Sequence, residues 1–219
     1  MKSLHDLKPE KFKIIHDEKL GFFGYVIHPD DNEFCIYIKE RPHDDLSNIG
    51  VPSMAIFIMN DNTYPNFYDA LHQKILQEQG TSEMEELITK AKESLKEILK
   101  NHPVIFIDPN SAKNLKNGCA REKSILFHEI GHYINRDKVY DEQIEREDCL
   151  SQKGISQKEI DADDFAFSVF RETFYDALRY CEQKLENAFK TDGGEKYFVP
   201  LFETKLRADR LGKILLSEL

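Results

Sequence analysis

An α+β fold is predicted by three features of this 219-residue chain. Strand-like apolar runs crowd its first half, two stretches of helical period interrupt them, and the second half carries helical patterning almost throughout. The strand-like runs are Gly24–His28, Glu33–Lys39, Met54–Met59 and Val104–Asp108, each rich in Ile, Val, Phe or Tyr and bounded by turn-formers. Pro29-Asp30-Asp31-Asn32 joins the first two, which predicts a hairpin. Asn66–Gln79 and Ser82–Lys100 read as helices separated by Gly80. The second of these repeats apolar residues at Met84, Leu87, Ile88, Ala91, Leu95, Ile98 and Leu99.

After Asp108-Pro109-Asn110 a polar loop is expected to lead into a helix from Cys119 to Asn135. A longer helical stretch follows from Ser156 through Lys190 with room for one break, its buried side carrying Phe165, Phe170, Phe174, Leu178 and Leu185. Gly193-Gly194 ends it, and Leu201–Leu216 reads as a closing helix. The simplest organisation is one domain over 1–219, with a small sheet and two helices in 1–110 and a mainly helical part in 111–219.

Thirty basic and forty acidic residues give a net charge of −10, which argues against broad binding to nucleic-acid phosphates. No apolar run approaches the ~20 residues that cross a bilayer, and Met1-Lys2-Ser3-Leu4-His5-Asp6 lacks the apolar core of a signal peptide, so a soluble cytoplasmic protein without membrane partners is expected. Cys35, Cys119, Cys149 and Cys181 are scattered without a CxxC pair and read as free thiols. The acidic stretch from Asp137 to Asp148 reads as a solvated face. His5, His16, His28, His43 and His72 are expected at the surface.

Chemistry concentrates at His128-Glu129-Ile130-Gly131-His132, an HExxH zinc signature. Residues four apart lie one helical turn apart on one face. His128 and His132 can therefore ligate one ion while Glu129 points toward a water on it. Ser124-Ile125-Leu126-Phe127 before the motif and Tyr133-Ile134 after it are apolar enough for a buried helix, where unpaired histidines and a glutamate would be costly. A catalytic zinc takes three protein ligands and leaves a fourth position to water. The histidine-rich extension HExxHxxGxxH is excluded, because Asn135 and Lys138 stand at its glycine and third histidine.

Further along, Glu159-Ile160-Asp161-Ala162-Asp163 resembles the ExxAD block of the gluzincin metallopeptidases, and this resemblance implies Glu159 as the third ligand. Spacing agrees, since Glu159 can face the ion while Asp163, one turn later, accepts the outer N–H of a ligating histidine. Ala162 between them is small enough to let two helices approach. A competing use exists for Glu159: Ser156-Gln157-Lys158-Glu159 is also a capping box, in which Glu159 would fold back to the Ser156 N–H and Asp161 or Asp163 would become the ligand.

Among gluzincins the chain looks most like the small ImmA/IrrE-type metallopeptidases, on the blocks His128–His132 and Glu159–Ala166. Asp163 replaces an asparagine of that pattern, and Phe167-Ser168-Val169-Phe170 departs from its usual continuation. The resemblance implies a zincin-like α+β fold: a small N-terminal mixed sheet, then an active-site helix, then a ligand-bearing helix. It also implies a Zn²⁺-dependent peptidase acting on a peptide or protein, with regulatory cleavage as the suggested role. In such a site the metal lowers the pKa of its water and polarises the scissile carbonyl, and Glu129 handles the proton. Tyr133, Tyr140, Tyr175 and His102 are oxyanion donors by type. Substrates of such enzymes commonly add a strand to a sheet edge; Val104–Asp108 is a candidate for that edge, and a central strand would read the same. The alternative from another class is a catalytically silent zinc-binding interaction protein.

Overall fold

A computed structural model describes residues 13–15, 24–28, 31–40, 43–58, 103–135, 154–191 and 194–218. The expected helices Asn66–Gln79 and Ser82–Lys100, the acidic stretch, Tyr140, His102 and Cys149 lie outside them. The chain divides into two compact units, one of residues 13–39 and 56–105, the other of 1–12, 40–55 and 106–219.

Strands are β1 (Lys13–Ile15), β2 (Gly24–His28), β3 (Asp31–Glu40), β4 (Met54–Ile58) and β5 (Pro103–Ile107), in the sheet order β1-β2-β3-β5-β4. β1, β2 and β3 pair antiparallel; Tyr25 faces Tyr37 and Val26 faces Ile36, with the register shifting between Ile27 and His28 at the hairpin end. Ile36 and Ile38 are buried while Tyr37 and Lys39 are half-buried, the period-2 pattern of a strand with one covered face. β5 corrects the edge expectation for Val104–Asp108: it lies between β3 and β4, and all five of its residues are buried. An uninterrupted apolar run suits an interior strand covered on both faces.

The other unit holds the helices, α1 (Asp45–Asn48), α2 (Pro109–Lys116), α3 (Ala120–Ile134), α4 (Gln157–Phe170), α5 (Glu172–Thr191) and α6 (Glu195–Ser217). α2 replaces the expected polar loop. Asp108 caps it by accepting from the backbone N–H of Asn110 and Ser111, Pro109 fills the first turn where no N–H is needed, and Ala112 and Leu115 are buried. The second carboxylate oxygen of Asp108 accepts from the Ser53 N–H at 2.9 Å, so one side chain ties α2 to the segment before β4.

α4 and α5 are the expected long helix with its one break. The break falls at Arg171, whose φ of 36° lies in the left-handed region that side chains avoid. On α5 the buried residues Phe174, Ala177, Leu178, Cys181, Leu185 and Ala188 recur at helical spacing and face α3 and α6. Phe165 and Phe170 are only half-buried. α6 begins six residues before the expected Leu201 and runs through Pro200. Its entry packs so closely that a Cβ on Gly194 would meet the Phe189 carbonyl oxygen.

Candidate metal centre

α3 and α4 carry the chemistry, and the sequence explains why they lie so close. A Cβ added to Gly131 would stand 2.9 Å from both the Cα and the carbonyl oxygen of Ala162. The third non-histidine position of HExxH thus meets the backbone at the alanine of ExxAD, and it has no room for a side chain. Asn135 closes α3 as its C-cap and donates from Nδ2 to the Gly131 carbonyl at 2.9 Å. At the other helix Ser156 accepts from the Glu159 N–H at 3.3 Å.

That cap bond is half of the capping box. The Glu159 carboxylate is turned to the histidines instead, with Oε2 at 3.2 Å from His128 Nε2 and Oε1 at 3.3 Å from His132 Nε2. The two Nε2 atoms are 3.1 Å apart, their rings nearly perpendicular at 80°. The two Nε2 atoms, 3.1 Å apart, thus converge on one carboxylate, each lying 3.2–3.3 Å from a different oxygen of Glu159. Tetrahedral ligands bonded at ~2.0–2.1 Å to one zinc stand ~3.3–3.4 Å apart, so this triangle of two nitrogens and a carboxylate suits an ion of that size. Glu129 is buried, and a carboxylate oxygen of it lies within 4.8 Å of a ring nitrogen of His128 and of His132. Asp161 is elsewhere, its Oδ1 accepting from Gln157 Nε2 at 2.9 Å.

Asp163, fully buried, stands behind His128 with Oδ1 at 3.0 Å from Nδ1. An ionised carboxylate only accepts. His128 therefore holds a proton on Nδ1, which leaves Nε2 as the nitrogen turned toward His132 and Glu159.

Asp163 is held in turn by Arg207 of α6, which donates from Nη2 to Oδ1 at 2.6 Å and from Nε to Oδ2 at 2.9 Å. The same guanidinium places Nη1 at 3.3 Å from Glu159 Oε2. Nη2 also lies 3.2 Å from His128 Nδ1 and 3.4 Å from its Nε2, and Nδ1, whose proton is directed to Asp163, has no lone pair to accept with. Arg207 was absent from the sequence reading. Its partners stand 44 and 79 residues away in the chain, and nothing local marks it.

The electrostatics follow from this network. Burial raises the carboxyls' affinity for protons, yet Arg207 and His128 outweigh it and hold Asp163 below the ordinary range. Glu159 is likewise held far below that range, burial being overcome by hydrogen bonds with His128 and His132. For metal-free His128, burial and Arg207 push the pKa down, while Asp163 and Glu159 lift it to about 9. Glu203 on α6 moves the other way, raised by burial and by Glu159.

Away from the centre, Cys119 and Cys181 are free thiols, as expected. His43 is exposed, its Nδ1 at 3.3 Å from Ser47 Oγ. Of the oxyanion candidates Tyr133 is buried, and Tyr175 of α5 packs against Gly212 of α6. Among the described residues no helix is long and apolar enough to cross a membrane. No protein-family model, curated protein or solved structure matches the chain.

Proposed function

We propose that the chain is a zinc-dependent peptidase whose metal is held by His128, His132 and Glu159. The observation that supports this most is the convergence of His128 Nε2 and His132 Nε2, 3.1 Å apart, on the Glu159 carboxylate, whose two oxygens lie 3.2 and 3.3 Å from them, with a further carboxylate, Glu129, beside them. When bound, zinc supplies a Lewis acid that lowers the pKa of a water and polarises a carbonyl. Glu129, beside the proposed ligand atoms, is the carboxylate that would accept a water's proton and return it to the leaving amine. Asp163 fixes the His128 tautomer, and Arg207 fixes Asp163. No Ser or Cys nucleophile is required, and the buried Cys181, whose thiol burial pushes up to about 11, is unsuited to one.

A substrate of peptide or protein nature follows from this reading and from the resemblance to gluzincins. Glu129→Gln keeps the shape of the side chain and leaves all three proposed ligands in place. It should retain zinc while cleavage of a casein or mixed-peptide substrate falls by at least ~100-fold. Unchanged cleavage would remove Glu129 from the chemistry. Retained zinc with no cleavage by the wild-type chain on any substrate would favour the zinc-binding interaction protein.

A further inference from the structure

Within the helical unit, a cavity of about 280 Å³ opens between α1, α2, α3 and α5, with Gly50, Asn114, Arg121 and Tyr180 in its walls and the exposed Lys113 at its rim. Its volume is near the ~300 Å³ lower bound of small-molecule pockets, so an occupant is small.

Cations gather here without carboxylates of their own to spare. Arg121 spends Nη2 and Nε on Glu122 Oε1, at 2.6 and 3.2 Å, and leaves Nη1 without a hydrogen bond among the described residues. Its guanidinium carbon lies 3.9 Å from the centroid of the Tyr180 ring, and the half-buried Lys184 places Nζ 5.5 Å from the same centroid. Two cations thus share one ring, closer to each other than a screening length of ~10 Å, and repel. Among the described residues Lys113 and Lys184 make no ion pair, and the Tyr180 hydroxyl makes no hydrogen bond.

Gly50 supplies the room. Its φ of 79° lies in the left-handed region that favours glycine. The point where a Cβ would stand is 3.7 Å from Lys184 Nζ and 3.9 Å from Tyr180 Oη, so an ammonium and a hydroxyl border one empty side-chain position in the cavity wall. The acceptors, by contrast, are committed to the protein. Asp108 is buried and accepts from the N–H groups of Asn110, Ser111 and Ser53, and the buried Glu122 is held by Arg121 and Asn114.

A wall with donors open and carboxylates closed calls for an anion. A phosphate monoester carries ~1.5–2 negative charges at pH 7 and three strong acceptor oxygens, which match a guanidinium nitrogen, an ammonium and a hydroxyl. We infer that this cavity binds a small phosphate-bearing ligand through Arg121, Lys184 and Tyr180. Lys113 at the rim adds to the field that draws the anion in. Free phosphate and a small monoester share this chemistry. The site does not depend on the metal centre, and its test reads binding rather than cleavage.

Isothermal titration of the full chain in low-salt buffer, with inorganic phosphate, glycerol 3-phosphate and glycerol, separates the anion from its carrier. Both phosphates should bind saturably, and glycerol should not. Tighter binding of the monoester marks it as the occupant, and equal or weaker binding marks the free ion. Lys184→Gln should weaken phosphate by at least ~10-fold. Tyr180→Phe removes an unbonded hydroxyl while keeping the ring beneath Arg121, and should weaken it by ~3–10-fold. Lys190→Gln, further along α5 and paired with Glu186, controls for general charge and should leave the affinity unchanged. No saturable heat with either phosphate up to ~10 mM, affinity indifferent to both Lys184→Gln and Tyr180→Phe, or an equal loss in Lys190→Gln would overturn the assignment.

Discussion

Asp163 touches no proposed substrate and is not among the three proposed ligands, yet it joins α3, α4 and α6 at one carboxylate. Its oxygens receive the His128 ring and the Arg207 fork. Removing one partner of a buried ion pair strands the other charge and costs ~3–5 kcal/mol. Asp163→Asn keeps an acceptor but removes the charge, so we expect a loss toward the lower end of that range by urea unfolding. Zinc affinity should also fall by ~10–100-fold through the mispositioned His128. Asp164 is the neighbouring control: its Oδ1 accepts from Arg210 Nη1 at 2.6 Å, but its side chain is 53% exposed. Exposed pairs contribute ~0–1 kcal/mol, so Asp164→Asn should be nearly silent in both measurements. Equal effects from the two substitutions would show that burial of the Asp163 network does not matter.

At the scale of elements, the two motifs act through the contact between their helices as much as through their ligands. Gly131→Ala would drive a methyl to 2.9 Å from backbone atoms of Ala162, and backbone cannot rotate aside. The helices must separate, at ~1–3 kcal/mol for the overpacking, and Glu159 must withdraw from the histidines. Thermal unfolding and zinc titration of Gly131→Ala should both worsen; an unaltered zinc affinity would mean that α3 and α4 can part without opening the triangle. α3 and this pairing were legible because short-range signals define them. The helix ends one residue inside the expected Cys119 and Asn135, which serve as its caps. Ala162 was expected small for the reason its contact now supplies. α2 was legible in principle, since Asp108-Pro109 is a cap followed by a first-turn proline, but its polar surface residues conceal the buried Ala112 and Leu115. Arg207 was not legible, and the sequence could not tell a central from an edge place for β5. Both depend on partners brought together by the tertiary fold, and periodicity carries no record of them.

For the whole molecule, acid stability offers a test outside the metal centre. Burial alone would raise the Glu122 pKa, but hydrogen bonds from Arg121, Cys119 and Asn114 outweigh it and lower the value in the folded state. A carboxyl whose folded pKa is depressed contributes stability that is present above its unfolded pKa, ~4.3, and lost as pH falls through the folded value. Urea unfolding between pH 7 and pH 3 should therefore show a shallower acid decline in Glu122→Gln than in the wild-type chain. Coincident declines would contradict the depressed value.

The proposed metal centre has its own whole-molecule consequence. A ligand that binds only the folded chain stabilises it by mass action, so zinc should raise the unfolding midpoint. The most direct measurement is zinc content by elemental analysis, with a competitive chelator titration, on the full-length wild-type chain, His128→Ala, Glu159→Gln and Asp161→Asn. About one zinc per chain is expected in the wild type and in Asp161→Asn, with affinity reduced by at least ~100-fold in His128→Ala and Glu159→Gln. A wild-type chain that holds no zinc, or a Glu159→Gln chain that holds it as tightly as the parent, would contradict a centre built from these two helices.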